Sequence, residues 1–311
     1  MPLFSGIAAD NIPSGLRLDR YVADELRLMS RSALKSRRPQ ILLNGKPVKL
    51  SRSIKPGDLV EISWNENEPL NLIPENIPLD IVYEDMRMVV INKPGGLVVH
   101  PGAGNRRGTL ANALLYRVQQ RFAENPFSGS LRPGIVHRLD KDTSGLIAAA
   151  YDDEALAFLS GQFKARKVRK IYAAIVEGCP DDLQGTIDKC IVRDSRDRKR
   201  FTVADPAALK AGKTALTHYR VIRSWGGCSL LALSPKTGRT HQLRVHLRFL
   251  GHPILYDPVY GFRNSRYPAV PGAALMLHSK SLTLVPPGAE EAVTFTSPLP
   301  DRFRFFIDKR K

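Results

Sequence analysis

Between residues 134 and 147 the chain reads Gly-Ile-Val-His-Arg-Leu-Asp-Lys-Asp-Thr-Ser-Gly-Leu-Ile, and this stretch constrains the fold more than any other. A short apolar run enters it and another leaves it, the pattern of strand, loop and strand. A histidine, an arginine and two carboxylates are held between runs that have the character of core strands. Polar residues fixed by a rigid scaffold in this way make the loop a candidate for chemistry. The plainer alternative is a solvated connection whose charges face water.

Charge narrows the partner. Against 30 Asp and Glu the chain carries 47 Lys and Arg, a net charge of +17, which argues for a polyanion and says little about fold. RNA, DNA and an anionic membrane surface all satisfy that condition. The chain has no apolar run of about 20 residues, so no membrane-spanning helix is expected. Its first ten residues do not have the pattern of a signal peptide. Cys179, Cys190 and Cys228 are scattered, which points to a reducing cytoplasm with no disulfide framework and no zinc site. A length of 311 residues suits one large domain and one small one.

The small unit is read over residues 15–64. Leu16, Leu18, Val22 and Leu26 recur at roughly helical intervals. Ser30 precedes a second, short helix that Pro39 ends. Ile41-Leu42-Leu43, Asn44-Gly45 and Lys46-Pro47 read as strand and turn, Lys55-Pro56-Gly57-Asp58 as a second turn, and residues 59–62 as a closing strand. These pieces resemble the S4 RNA-binding domain. The resemblance implies phosphate contacts from Arg31, Lys35, Arg37 and Arg38, where the alternative is a solvated basic face. S4 domains usually have an apolar pair and a glycine before the hairpin. Here the text is Ser36-Arg37-Arg38-Pro39-Gln40.

Residues 65–78, polar and proline-bearing, read as a linker, and residues 79–311 as the large domain. Residues 81–85 and 88–92 have the look of paired strands. Thr109 is placed to cap a helix that turns Leu110, Ala113, Leu114 and Val118 inward. Leu156, Leu159 and Phe163 share one face of a helix beginning near Asp153. Residues 171–178, 216–222 and 229–233 read as strands, and residues 193–200 as an exposed charged loop. Thr240 is the expected cap of a helix that carries Leu243, Leu247 and Leu250 on one stripe and ends at Gly251. His241 and His246 stand five apart, off the spacing that puts two metal ligands on one helical face.

Several of these segments together resemble the RNA pseudouridine synthases of the RluA/RluD type. They are His137-Arg138-Leu139-Asp140, Lys93-Pro94-Gly95-Gly96, Lys170-Ile171-Tyr172-Ala173-Ala174, residues 237–247, Asp257-Pro258-Val259-Tyr260-Gly261, and shorter runs as far as residue 300. A glycine-arginine turn frequent in the family near residues 193–200 is missing. The resemblance implies an α+β chain: an S4-like domain, then a large mixed, mostly antiparallel β-sheet with flanking helices. It implies an isomerase that converts uridine to pseudouridine in structured RNA, with ribosomal RNA of the large subunit favoured over transfer RNA. Asp140 would be the nucleophile, Arg244 its cationic partner, and Tyr172 the residue that stacks on the base or relays a proton. Arg138 would fill the gap left by the flipped base or touch phosphate. His137 would help there or brace the loop. Asp142, two residues on, faces the same way if the loop is extended, and only the resemblance separates it from Asp140. The reaction has no net redox change, and neither a phosphate-cradling loop nor a dinucleotide fingerprint is present. No cofactor and no metal are therefore expected, and the protein is expected to be a monomer. The competing reading is a non-catalytic RNA-binding or ribosome-assembly protein.

Overall fold

A computed structural model describes residues 3–9, 12–26, 28, 34, 39–64, 72–102, 104–122, 134–197, 200–204, 212–267 and 274–308. The chain divides into two compact units, Met1–Leu72 and Ile73–Lys311.

In the first unit β1 (Leu3–Ile7), β2 (Gln40–Leu43), β3 (Lys46–Pro47) and β4 (Leu59–Ser63) form an antiparallel sheet in the order β1-β4-β2-β3. Asn44 and Gly45 both have positive φ, 51° and 73°, as a tight two-residue hairpin turn requires. A short helix, Leu18–Arg20, runs into a π-helical turn, Tyr21–Glu25. Leu18, Val22, Leu34, Ile54, Val60 and Ile62 close the core beneath it. The unit begins earlier than residue 15: β1 pairs with β4 along its whole length. Of the second helix expected after Ser30, only Leu34 is described. Arg31, Lys35, Arg37 and Arg38 lie outside the described residues.

Part of the expected linker packs on the large unit. The Ile73 carbonyl accepts from the Asn112 side chain at 2.8 Å, and Glu75 takes the Gly108 N–H on its carboxylate. Residues 73–78 are thus part of the large unit.

That unit is built on an 11-stranded sheet. Its strands are β5 (Ile81–Glu84), β6 (Met88–Lys93), β7 (Gly134–Ile135), β8 (Ser144–Ala150), β9 (Arg169–Glu177), β10 (Gln184–Arg193), β11 (Phe201–Ala204), β12 (Lys213–Trp225), β13 (Cys228–Pro235), β14 (Leu277–Leu284) and β15 (Val293–Thr296). The main path is β11-β10-β12-β13-β9-β14-β8-β6-β5, with β15 beside β14 and β7 beside β8. Among the named strands β8 against β14 is the only parallel pairing. Period-two alternation sends Val89, Ile91 and Ile147 to one face of the sheet and Met88, Val90, Leu146 and Ala148 to the other. Helix Leu110–Arg121 covers the first face with Leu110, Leu114 and Val118, and helix Asp153–Lys164 the second with Ala155 and Leu159. With both faces covered, β8 is buried from end to end. Thr109 and Asn112 form a capping box at one helix start, and the Asp152 carboxylate accepts the Ala155 N–H at the other. β10 and β11, which flank the expected charged loop, pair antiparallel.

Candidate active site

The loop of residues 136–143 hangs between β7 and β8 and is tied down at four points. Gly145, with φ of 106°, lies so close to β14 that a Cβ would come within 2.3 Å of the Ser279 carbonyl oxygen. No other residue fits there. Lys93, at the end of β6, is fully buried, and its ammonium donates to the carbonyls of Pro94, Leu97 and Lys141 at 2.8, 2.9 and 2.9 Å. Burial pushes Lys93 down to about 8, with Asp142 and Asp140 opposing the shift. Three acceptors for three protons suit the charged form, which prevails at neutral pH. The Lys141 carbonyl that it holds directly follows Asp140 and also accepts the Gly96 N–H. His137 turns inward: Nε2 accepts the Ala148 N–H at 3.0 Å, and the ring stacks on Phe163 at 4.5 Å. Burial holds it down to about 3, so the ring is neutral. Its contacts are those of a brace.

Asp140 faces Arg244 from 104 residues away, with Nη1 at 3.4 Å from Oδ2. Two other nitrogens of the same guanidinium form a buried fork with Asp257, Nε and Nη2 each at 2.7 Å from a carboxylate oxygen. Asp257 is oriented in turn by the N–H groups of Val259 and Tyr260. A planar fork held on one side aims its remaining nitrogen in one direction, which a lysine would not do. The hydrogen bond to Asp257 and the two nearby carboxylates raise the Arg244 pKa despite its burial.

Arg244 projects from helix Gln242–Phe249, whose start differs from the expected one. Thr240 does not cap it. The residue before the helix is His241, with φ of 55° and no side-chain cap bond. Gln242 takes over the anchoring: its Oε1 accepts from the Arg239 N–H and the Thr237 hydroxyl, and its amide donates to the Leu216 carbonyl and the Thr217 hydroxyl. Those bonds fasten the helix to β12. Gly251, with φ of 87°, follows the helix end as expected.

Asp140, Arg244, His241 and Tyr172 line one cavity of about 650 Å³. Tyr172 stands on β9 beside Ser279 of β14, almost fully buried. Burial pushes its hydroxyl up to about 12, so it keeps its proton at neutral pH. Arg138, Lys164, Arg166, Lys170, Lys236 and Arg239 complete the basic lining, and Asp140 is its only carboxylate among the described residues. Arg138 is exposed. Asp142 lines a second cavity of about 530 Å³ instead.

The residues Asp140, Tyr172, Arg244, Arg138 and His137 therefore come together. His241, Tyr260, Asp257 and Lys93 belong to the same site and were not singled out from sequence. Their signal was present in the motifs, since Asp257 and Tyr260 fall in one matched segment and Lys93 opens another. Among the described residues no group of three or more His, Cys, Asp or Glu is arranged to hold a metal. No helix of the described residues is long and apolar enough to cross a membrane.

Residues 87–249 match the profile of the RNA pseudouridylate synthase family. The chain is 41% identical over 300 residues to the ribosomal large subunit pseudouridine synthase D of Borreliella burgdorferi, across 94% of this chain and 89% of the relative. It is 45% identical over 286 residues to an uncharacterised RNA pseudouridine synthase of Chloroflexus aurantiacus, across 91% and 86%. Among solved structures it resembles human RNA pseudouridylate synthase domain containing 1, with a TM-score of 0.58 and 29% identity, across 72% of this chain and 84% of that one.

Proposed function

The chain belongs to the RNA pseudouridine synthase family, and from that membership we propose that Asp140 is the nucleophile with which it isomerises uridines of large-subunit ribosomal RNA. The observation that carries this reading is the Asp140 carboxylate, alone of its kind among the described residues of a basic cavity and facing an arginine that a second carboxylate holds in place. Isomerisation breaks the C1′–N1 bond, turns the base and joins C1′ to C5, whose hydrogen leaves as a proton. Attack at C1′, attack at C6 and elimination across C1′–C2′ all need an ionised carboxylate, and an adjacent guanidinium favours that form.

A uridine reaches such a cavity only by leaving its stack, at a cost of a few kcal/mol. Arg138, exposed at the mouth, is suited to the vacated space or to a phosphate. Tyr172 keeps its proton and presents both a ring face and a hydroxyl, which serves stacking and proton relay alike. The other basic residues of the lining suit the RNA backbone. The S4-like unit would dock the RNA through Arg31, Lys35, Arg37 and Arg38. Ribosomal RNA is favoured because the relative from Borreliella burgdorferi bears the name of a large-subunit enzyme. The basic charge also suits a binding protein without catalysis, but such a protein has no need of Asp140, Tyr172 and Arg244 together.

Tritium release tests the reaction. Ribosomal RNA labelled at uridine C5, taken from a strain without the enzyme, is incubated with wild type and with Asp140→Ala. Release by wild type alone supports the reading. Release by both removes Asp140 from the role, and release from transfer RNA but not ribosomal RNA overturns the substrate.

A further inference from the structure

His241 stands at the cavity with no part in the reaction as derived so far. Its Nε2 lies 3.9 Å from Asp140 Oδ2, the same oxygen that Arg244 Nη1 approaches at 3.4 Å. Among the described residues no side chain hydrogen-bonds to Oδ1. Two groups thus converge on one oxygen of the carboxylate and leave the other to the cavity.

The far side of the imidazole decides what Nε2 presents. Nδ1 is 2.9 Å from the Tyr260 hydroxyl, and that oxygen accepts the Phe201 N–H at 3.0 Å. A hydroxyl has one proton to give. Among the described residues Nδ1 is the one acceptor the Tyr260 hydroxyl has, so the proton goes there and Nδ1 is unprotonated. The ring proton of neutral His241 is then on Nε2, directed at Asp140. The opposite tautomer would set a lone pair against a carboxylate oxygen and strand the Tyr260 proton. A second ring proton is opposed by burial, Arg244 and Arg138 and favoured by Asp140 and Asp257, and the balance runs downward. The ring is also held edge-on by Phe201 at 5.7 Å and Tyr260 at 5.6 Å. Its backbone takes the left-handed conformation that non-glycine residues keep only when the surroundings demand it.

We propose that His241 is a positioning residue: a neutral Nε2–H donor, its tautomer set by Tyr260, that joins Arg244 on Oδ2 of Asp140 and leaves Oδ1 to meet the substrate. The inference rests on Asp140 as the nucleophile. Its separation of 3.9 Å closes to a hydrogen bond when RNA fills the cavity, as is usual for sites seen without substrate.

The test uses the full chain with 15N-labelled histidine. Of its seven histidines, His241 is identified by the signal that His241→Gln removes. The expected spectrum has protonated Nε2 and bare Nδ1 in wild type, and a mixture of tautomers in Tyr260→Phe. Single-turnover tritium release is expected to fall on the order of ten- to a hundredfold in His241→Ala with KM little changed, and to recover in part in His241→Gln, whose amide can donate. A protonated Nδ1, a tautomer indifferent to Tyr260→Phe, or full single-turnover rate in His241→Ala overturns the proposal. If His241→Ala fails to fold, the wild-type and Tyr260→Phe spectra still decide the tautomer. Asp140→Ala is run alongside. Its survival would sink the nucleophile assignment, whereas its loss together with an unimpaired His241→Ala would sink only the role of His241.

Discussion

Two cavities flank a single loop, and each receives one of its carboxylates. Asp140 lines the cavity that also holds Arg138, Lys170, Arg239 and Arg244. Asp142 lines the other, with Glu177, Asp257 and, among the described residues, a single basic residue, the exposed Arg263. Two residues of sequence separate a carboxylate in a cavity lined by cations from one in a cavity whose lining holds two other carboxylates. An extended loop would have put both on one side. The chain turns at Lys141–Asp142, with the Thr143 N–H bonded to the Asp140 carbonyl at 3.2 Å, and so divides them. The Arg244–Asp257 fork links the two: the arginine belongs to the lining of the first cavity and the aspartate to that of the second.

The sharpest way to break this contrast is to neutralise each carboxylate in turn. Asp140→Asn is expected to lower kcat by at least about 10⁴-fold, the order seen when a nucleophile is removed. Asp142→Asn is expected to stay within about threefold, because its carboxylate lines the other cavity. The two are read by tritium release from the same RNA, and comparable losses would mean that the cavities do not distinguish the carboxylates.

The fork gives the next largest effect. Asp257→Asn leaves a buried guanidinium without its counter-charge, which is expected to cost about 3–5 kcal/mol of stability. It also frees Arg244 to swing off Asp140, so kcat is expected to fall about a hundredfold with KM little changed. Arg244→Lys should resemble it, because an ammonium has no fork to share between two carboxylates. Urea unfolding and steady-state kinetics on the two variants check both parts. A stable and active Asp257→Asn would show that Arg244 is aimed by something other than the fork.

How much of this was legible in the sequence depends on the range of the interaction. The core strands were readable because an apolar run is local, but their facing was not: Met88-Val89-Val90-Ile91 is apolar throughout, and only the packed sheet sends Val89 and Ile91 one way and Met88 and Val90 the other. Thr109 was readable as a cap because that signal is local too. β1 was not, since Leu-Phe-Ser-Gly-Ile has no alternation and acquires its meaning from pairing with β4. Thr240 misled because a threonine before an apolar stripe is an ordinary cap signal, and nothing local reveals that His241 takes a left-handed backbone and hands the anchoring to Gln242. The site itself was readable in its motifs and not in its contacts. Asp140 meets Arg244 across 104 residues, and which cavity Asp142 enters follows from a turn that composition does not mark. Lys93 opened a matched segment, and nothing in that segment shows that its ammonium grips the Lys141 carbonyl 48 residues away.

Lys93 also sharpens the contrast through pH, because it grips the carbonyl that separates the two aspartates. With its pKa pushed down to about 8 by burial, the group is charged below that pH and loses a proton above it. The sign is therefore a fall in activity on the alkaline side: a deprotonated Lys93 has two N–H groups for three carbonyls, and its grip on the Lys141 carbonyl of the loop weakens as pH rises through 8. Loss of one hydrogen bond corresponds to about fivefold in kcat. Tyr172, pushed up to about 12, contributes nothing to a limb in that range. Lys93→Arg should move the limb beyond the measurable range, provided the variant folds. A profile flat from pH 7 to 10 in wild type would separate Lys93 from the loop's function.

The smallest effect concerns the walls. If RNA phosphates meet the basic lining of the first cavity, then KM must rise with salt, and each lost contact must flatten the dependence. Lys236→Ala is expected to raise KM about two- to threefold at low salt and to reduce the slope of log KM against log salt by about 0.7–0.9, the value for one phosphate contact. Arg263→Ala, on the second cavity, should leave the slope unchanged. An equal reduction in both would mean that the RNA covers both cavities, and that the difference in charge between them serves the carboxylates and not the substrate's path.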